Sequence, residues 1–337
     1  MSARVKISVI EGDGIGPEIV REAVSLLDRV IDAEFIFVKA GKSYFYETGE
    51  PIEEGGMEKI RESDALLKGP IATPIRGQTY PSINLRIRKE FDLYANIRPF
   101  RSYKGISIRE VDMILVRENT EGLYSGVEEG NEERVVAHKV VTRRGSERVA
   151  EYAFHLAVSE NRKRVTIAHK ANVLKRSDGL FMRTFFEVAR KYPYIKADDV
   201  IVDAAAYKLV KVDRAFDILV TPNLYGDILS DVAAGVVGSL GLCGSAQIGD
   251  RFAAFEPIHG TAEDIAGKGI ANPLGIFMAS SMLLKWLGNT ISPYYAKKGD
   301  LLQRAICKVV NERIALTPDL GGDSKTEEVT EAVINLL

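Results

Sequence analysis

The sequence predicts an α/β fold on three observations. Apolar, β-branched runs recur along the chain, most end in Gly, Asn or Pro, and a helical apolar spacing follows most of them. The chain opens in that order: residues 5–10 (VKISVI) read as a strand and GDGIGPE as a turn. Residues 17–31 then read as a helix whose Ile19, Val20, Ala23, Leu26 and Leu27 share a face. Further strands are expected at 34–38, 64–68, 112–116, 164–168, 199–202 and 216–220. Segment 126–143, GVEEGNEERVVAHKVVTR, breaks the rhythm: its charged turn between β-branched residues reads as a projecting hairpin, an arm of the kind that often meets a second subunit. No repeat, low-complexity tract or obvious linker marks a boundary.

A chain of 337 residues holds one large domain or two moderate ones, and two are expected. Its 46% hydrophobic and 27% charged residues are an ordinary soluble balance. Lys plus Arg total 45 against 47 Asp plus Glu, which leaves no basic excess for non-specific nucleic-acid or anionic-membrane binding. Cys243 and Cys307 form neither a CxxC unit nor a zinc cluster, so a reducing cytoplasm is expected. The start, MSARVKISVIEGDG, lacks a signal-peptide core, and no apolar run reaches the roughly 18 residues of a membrane span.

NLYGDILSDVAAG, residues 223–235, places Asp227 and Asp231 at i and i+4 on one face of an expected helix, with Cβ atoms about 5–6 Å apart. Uncompensated, the pair is destabilising by a few tenths of a kcal/mol, so a cation is expected between the two carboxylates. A solvated helix edge is the ordinary fate of such a pair. Against it, Gly226 permits close approach, and Ile228, Leu229, Val232, Val236 and Val237 point to burial. A hard divalent ion, Mg²⁺ or Mn²⁺, suits a site of oxygen ligands that supplies few carboxylates and leaves room for water.

GDGIG at 12–16 lies between strand and helix and invites a dinucleotide reading, but GxGxG followed by Pro17 is not GxGxxG. No acidic residue falls clearly at the end of the second strand. A tight structural turn is the favoured reading, and a nicotinamide cofactor would be held elsewhere.

YPSINLRIRKEFDLYANIRPF, residues 80–100, gathers Ser82, Asn84, Arg86, Arg88 and Arg98 about a short helix. Ser82, Asn84 and Arg88 are expected to converge at its N-terminal end, where free N–H groups favour an anion. Arg117 in VRENTEGLY adds a third guanidinium, and each planar fork pairs bidentately with a carboxylate. Arg86, at an unfavourable helical angle, is expected to pair with a neighbouring acid instead.

These stretches, with HKANVLK, VDAAAYKLV, EPIHGTAEDIAGKGIANP and TPDLGG, resemble over essentially the whole chain the β-decarboxylating dehydrogenases of isocitrate, 3-isopropylmalate, homoisocitrate and tartrate. The resemblance implies a two-domain isopropylmalate dehydrogenase-like α/β fold with a non-Rossmann cofactor site. Residues 1–98 and 238–337 would form a large cofactor-binding domain. Residues 99–237 would form a small one, with an arm at about 124–143 at the dimer interface. The implied assembly is a homodimer or dimer of dimers with shared active sites.

The same resemblance implies oxidation of a 2-hydroxy acid at C2 with reduction of a nicotinamide cofactor, then loss of the 3-carboxylate as CO₂. Asp227 and Asp231, with Asp203 from the partner subunit, would hold the divalent ion, a Lewis acid toward the substrate hydroxyl. Lys170 would assist C2 deprotonation across the interface and Tyr124 would protonate C3. Arg88, Arg98 and Arg117 would bind the substrate carboxylates. Ile71, Thr73, His259, Gly260, Thr261, Ala262, Asp264, Ile265 and Asn272 would bind the cofactor, and His169 would be structural. Asp264 implies NAD, because a carboxylate accepts both ribose hydroxyls and repels a 2′-phosphate; NADP-using relatives carry Lys and Tyr at Asp264 and Ile265.

Ser82 and Asn84 match the isocitrate pattern SxN, since a distal carboxylate needs hydrogen-bond donors where an isopropyl group needs an apolar wall. Isocitrate, a 2-hydroxy tricarboxylate, is therefore the expected substrate. Homoisocitrate is the first alternative, being one methylene longer, and 3-isopropylmalate the second. A regulatory subunit that binds without turnover typically lacks part of the catalytic set, and here Tyr124, Lys170, Asp203, Asp227 and Asp231 are all present.

Overall fold

A computed structural model describes residues 4–74 and 79–337. The strands are β1 (Val5–Ile10), β2 (Ala33–Phe37), β3 (Ala65–Lys68), β4 (Ala95–Arg101), β5 (Asp112–Glu118) and β6 (Glu128–Gly130). They continue with β7 (Val135–Ala137), β8 (Arg164–His169), β9 (Lys196–Ile201), β10 (Ile218–Thr221), β11 (Gly244–Ile248) and β12 (Ala253–Pro257). The first helices are α1 (Gly16–Val30), α2 (Lys42–Thr48), α3 (Gly56–Arg61), α4 (Ile83–Glu90), α5 (Arg143–Ser159) and α6 (Ser177–Ala189). The rest are α7 (Val202–Lys211), α8 (Asn223–Val237), α9 (Leu274–Thr290), α10 (Pro293–Asn311) and α11 (Thr326–Ile334).

A single 10-stranded sheet runs β2-β1-β3-β12-β11-β4-β5-β10-β8-β9. Both flanks are parallel, as strand-helix alternation predicts, whereas the centre, β12-β11-β4-β5, is antiparallel. Three of those central strands escape the sequence pattern. In β11 (GSAQI) and β12 (AAFEP) small and polar residues are buried throughout, and β4 (ANIRPFR) carries Pro99 and two arginines.

The core lies between this sheet and its helices. In α1, Ile19, Val20, Ala23, Leu26 and Leu27 are fully buried, each large side chain contributing about 1.5–3 kcal/mol relative to exposure. Helix α8 starts after Thr221-Pro222 and stops at Gly238, whose φ of 122° lies in the region that favours glycine. Its Leu229, Val236 and Val237 are buried as expected. Ile228, expected inside, is 56% exposed, because it faces away from the sheet beside Asp231.

β6 and β7 pair antiparallel as a small exposed ribbon within the expected arm. The two-domain division expected at 98/99 and 237/238 falls inside β4 and at the end of α8, with the sheet continuous across it. No helix among the described residues is long and apolar enough to cross a membrane.

Candidate active site

The central antiparallel strands set the site. Period-two alternation puts Asn96 and Arg98 of β4 on one face, and the register sets Arg117 opposite Asn96 on one side and Gln247 on the other. All four side chains are buried. The first turn of α8 approaches this face at Gly226: a Cβ there would lie 2.3 Å from Thr221 Oγ1 and 2.7 Å from Arg117 Cγ. Glycine therefore lets the arginine stem pass beneath the helix, a closer reason than ligand access.

Asp227 is the meeting point. Arg117 Nη1 pairs with its Oδ1, Arg98 Nη1 lies 3.3 Å from the same oxygen, and the Tyr124 hydroxyl donates to Oδ2 at 2.5 Å. Arg117 Nε and Nη2 also donate to Asn223 Oδ1 at 3.0 and 2.7 Å, and its guanidinium carbon stands 4.9 Å over the Tyr124 ring. Arg98 reaches Asn96 at 3.1 Å and the buried Ser230 hydroxyl. Two arginines thus face Asp227 from within the chain itself, and neither forms an ion pair with Asp231.

Burial pushes the Asp227 carboxyl upward, but Arg117, Arg98 and the Tyr124 hydroxyl outweigh it and hold it below the ordinary carboxylate range. Asp231, exposed at the next turn, has no hydrogen-bond or ion-pair partner among the described residues. Desolvation, with Asp227 nearby, raises it. Burial and neighbouring Arg117 bring Arg98 down to about 10, so it remains charged at neutrality. Burial and then the bond to Asp227 raise the Tyr124 phenol, keeping it protonated.

Arg88 sits in the last turn of α4 rather than at its N-terminal end, which corrects the expected convergence with Ser82. Its Nε donates to Gln247 Oε1 at 2.8 Å, and among the described residues its Nη atoms have no protein partner. Asn84, one turn earlier on the same helix face, has a buried Oδ1 without a partner. Ser82 caps α4 by accepting the Leu85 N–H at 3.4 Å. Arg86, as expected, lies outside, 3.7 Å from Glu90.

Sequence reasoning missed the polar floor beneath Arg88. Gln247 Nε2 donates to Glu256, which pairs with the fully buried Lys68. Asn119 Nδ2 donates to Gln247 Oε1 at 3.1 Å. Burial would raise Glu256, yet Lys68 and Arg88 hold it below its ordinary value. Lys68 at a strand end before Gly69-Pro70, and Glu256 opening EPIHG, were the available signals. Arg88, Arg98, Arg117 and Lys68 face the buried Glu256, the half-buried Asp227 and, at the rim, Asp231, so basic side chains outnumber acidic ones in the pocket.

Lys170 and Asp203 are not brought into this cluster. They pair with each other at the start of α7, and within the chain neither bonds the arginines, Tyr124, Asp227 or Asp231. Among the described residues no three His, Cys, Asp or Glu side chains gather into a metal-binding group. His169 is buried, with Nε2 3.1 Å from Asp199 and Nδ1 accepting the Ala171 N–H at 3.0 Å.

The expected cofactor segments meet over the glycine turn. The buried Asp13 carboxylate accepts the N–H groups of Ala72 (2.9 Å), Lys42 (2.9 Å) and Ser43 (3.1 Å), which seats the stretch holding Ile71 and the exposed Thr73. Ile15 N–H donates to the Thr261 carbonyl at 2.9 Å. Gly14, at φ +61°, would put a Cβ 1.9 Å from that oxygen. GDGIG is thus the joint between two loops, as a structural turn would be. Ala262 turns the second loop at φ 38°, leaving Asp264 exposed without a protein partner among the described residues, beside Ile265. His259 Nδ1 meets the Gly260 carbonyl at 2.9 Å while its buried Nε2 has no partner, and burial pulls the imidazole below its ordinary value. Asn272 bonds Asp319 and the Leu274 N–H, both at 3.0 Å.

Residues 6–333 match the family described as isocitrate/isopropylmalate dehydrogenase. A homoisocitrate dehydrogenase of Methanocaldococcus jannaschii is 42% identical, covering 99% of this chain and 98% of the relative. A 3-isopropylmalate dehydrogenase of Archaeoglobus fulgidus is 43% identical, covering 98% and 99%. The crystal structure of an isocitrate dehydrogenase from Methylococcus capsulatus superposes with a TM-score of 0.92 at 42% identity, covering 98% and 99%.

Proposed function

The chain belongs to the isocitrate/isopropylmalate dehydrogenase family, and from that premise we propose that it oxidises a 2-hydroxy tricarboxylate with NAD and releases the 3-carboxylate as CO₂. The observation that carries this reading is the excess positive charge around Arg88, Arg98 and Arg117, which calls for a multiply charged anion. The Ser82 hydroxyl, which accepts the Leu85 N–H and keeps its own proton to donate, and the Asn84 side-chain NH2 extend it with donors suited to a distal carboxylate. An isopropyl group would leave those groups unpaired, which costs far more than a change of one methylene.

That polarity selects a tricarboxylate but not its length, which is why the expectation of isocitrate moves. The Methanocaldococcus relative favours homoisocitrate as first substrate, and the Methylococcus structure supports isocitrate as the second reading.

In this account the three arginines bind and orient the carboxylates, Lys170 of a second copy accepts the C2 hydroxyl proton, and Tyr124 delivers a proton to C3. Asp227, Asp231 and the partner subunit's Asp203 would hold Mg²⁺ or Mn²⁺, which as a Lewis acid would favour ionisation of the hydroxyl. The two aspartates fit such an ion as hard oxygen donors one helical turn apart, Asp231 being the freer. Ile71, Thr73, His259, Gly260, Thr261, Ala262, Ile265 and Asn272 would line the NAD site, with Asp264 toward the ribose. The second copy would cover the exposed Val173, Tyr207, Val210 and Ile228 on and near α7 and α8, and the ribbon of β6 and β7 would reach it as an arm.

The test compares kcat/KM for homoisocitrate, isocitrate and 3-isopropylmalate with NAD and Mn²⁺. The reading expects both tricarboxylates to exceed 3-isopropylmalate by at least about a hundredfold, homoisocitrate leading. Preference for 3-isopropylmalate overturns it.

A further inference from the structure

Resting on the proposed role of Lys170, we infer that Lys139 is a positioning residue that sets the place of Lys170 through the buried carboxylate of Asp178. Asp178, in the first turn of α6, is 0% exposed. A carboxylate so deep costs free energy unless its oxygens find partners. One oxygen pairs with Lys139 Nζ and the other accepts the backbone N–H of Lys170 at 2.7 Å.

Beyond that bond the chain folds back, the Lys170 carbonyl accepting from Val173 at 3.0 Å and Leu174 at 2.8 Å, while the side chain leaves toward Asp203. Asp178 therefore fixes the point from which the lysine projects, and Lys139 fixes Asp178. The same ammonium lies 4.4 Å from the centre of the Tyr225 ring on α8, two residues before Asp227. Lys139 follows β7 at the base of the expected arm, beside the bridge between Gly122 and Val140. A single charge thus joins the arm's base, the helix carrying Asp227 and the loop carrying Lys170, elements assigned above to two different active sites.

The test uses the full-length protein and the Lys139→Met, Lys139→Arg and Lys139→Met/Asp178→Asn variants, assayed with homoisocitrate, NAD and Mn²⁺. A shift of about 1 Å at a reacting group can cost on the order of a hundredfold. Lys139→Met is therefore expected to lose about tenfold or more in kcat, with both KM values within about threefold and the oligomer unchanged by size exclusion. Lys139→Arg, which keeps the charge, is expected to retain about half of wild-type kcat or more. The double variant removes the stranded buried charge, so it tests stability separately. It is expected to fold at least as well as Lys139→Met and to regain no kcat.

Unchanged kcat in Lys139→Met, a rise in KM alone, dissociation of the oligomer, failure of the arginine variant, or recovery in the double variant would each overturn the inference. A wild-type protein inactive on every acid tested overturns the dehydrogenase reading and this inference with it. An active wild type with an unaffected Lys139→Met overturns the inference alone.

Discussion

Tyr124 donates its hydroxyl to Asp227 Oδ2 at 2.5 Å, under the guanidinium of Arg117. The group proposed to protonate carbon is thereby held by one proposed to face a cation. Tyr124→Phe keeps the ring and removes only that hydroxyl. Steady-state kinetics should show kcat lower by about 10²–10⁴-fold with the KM for NAD nearly unchanged. Stability should change by only about 1 kcal/mol, since Arg117 and Arg98 still hold Asp227. A variant with near wild-type kcat removes Tyr124 from the chemistry.

Asp231 is the freer of the two α8 carboxylates, so it should govern metal binding without being needed for the arginine cluster. Saturating Mn²⁺ at about a hundred times its Kd should stabilise wild-type protein by about 2.7 kcal/mol. Asp231→Asn should abolish most of the corresponding rise in Tm while leaving the metal-free Tm close to wild type. Thermal melts with and without Mn²⁺ check this; equal rises in both proteins contradict it.

His259 gives a pH dependence with a definite sign. Burial, only partly opposed by the Gly260 carbonyl, lowers its folded-state pKa, so the unfolded chain binds the proton first, near about 6.5. Its contribution to stability is fully present above that value and is lost as pH falls toward the folded-state pKa. His259→Gln should flatten the stability curve below about pH 6.5. Urea unfolding at a series of pH values measures it, and an unchanged slope refutes it.

Asp264 stands exposed on a loop anchored through Thr261 to Ile15, without a protein partner among the described residues. Replacing Asp264 and Ile265 by Lys and Tyr should move the ratio of kcat/KM for NAD over NADP by at least about a hundredfold toward NADP, through new pairing with a 2′-phosphate. An unmoved ratio places cofactor choice elsewhere.

The parallel flanks of the sheet were legible because Val- and Ile-rich runs such as VKISVI and RVTIA announce buried strands. The antiparallel centre was not, since β11 and β12 are built of small and polar residues whose burial depends on neighbours distant in sequence. The arginines could be named from their motifs, but their partners could not. Asn223 lies 106 residues from Arg117, and Gln247 lies 159 from Arg88. Likewise Asp13, read only as part of a turn, holds N–H groups 29, 30 and 59 residues away. The misjudged Ile228 has a physical reason too: it lies on the face of α8 turned away from the sheet, which an apolar residue type alone does not reveal.

If each active site takes Tyr124, Asp227 and Asp231 from one copy and Lys170 and Asp203 from another, two inactive variants should complement each other when their chains are mixed. Tyr124→Phe and Lys170→Met chains, each nearly inactive alone, are co-expressed with different tags so that hybrid dimers can be isolated and counted. One of the two sites in each hybrid then has both residues intact. Random mixing in a two-fold dimer should therefore restore about a quarter of wild-type activity, and the pure hybrid about half. Isolated hybrids with no more activity than their parents would contradict the account.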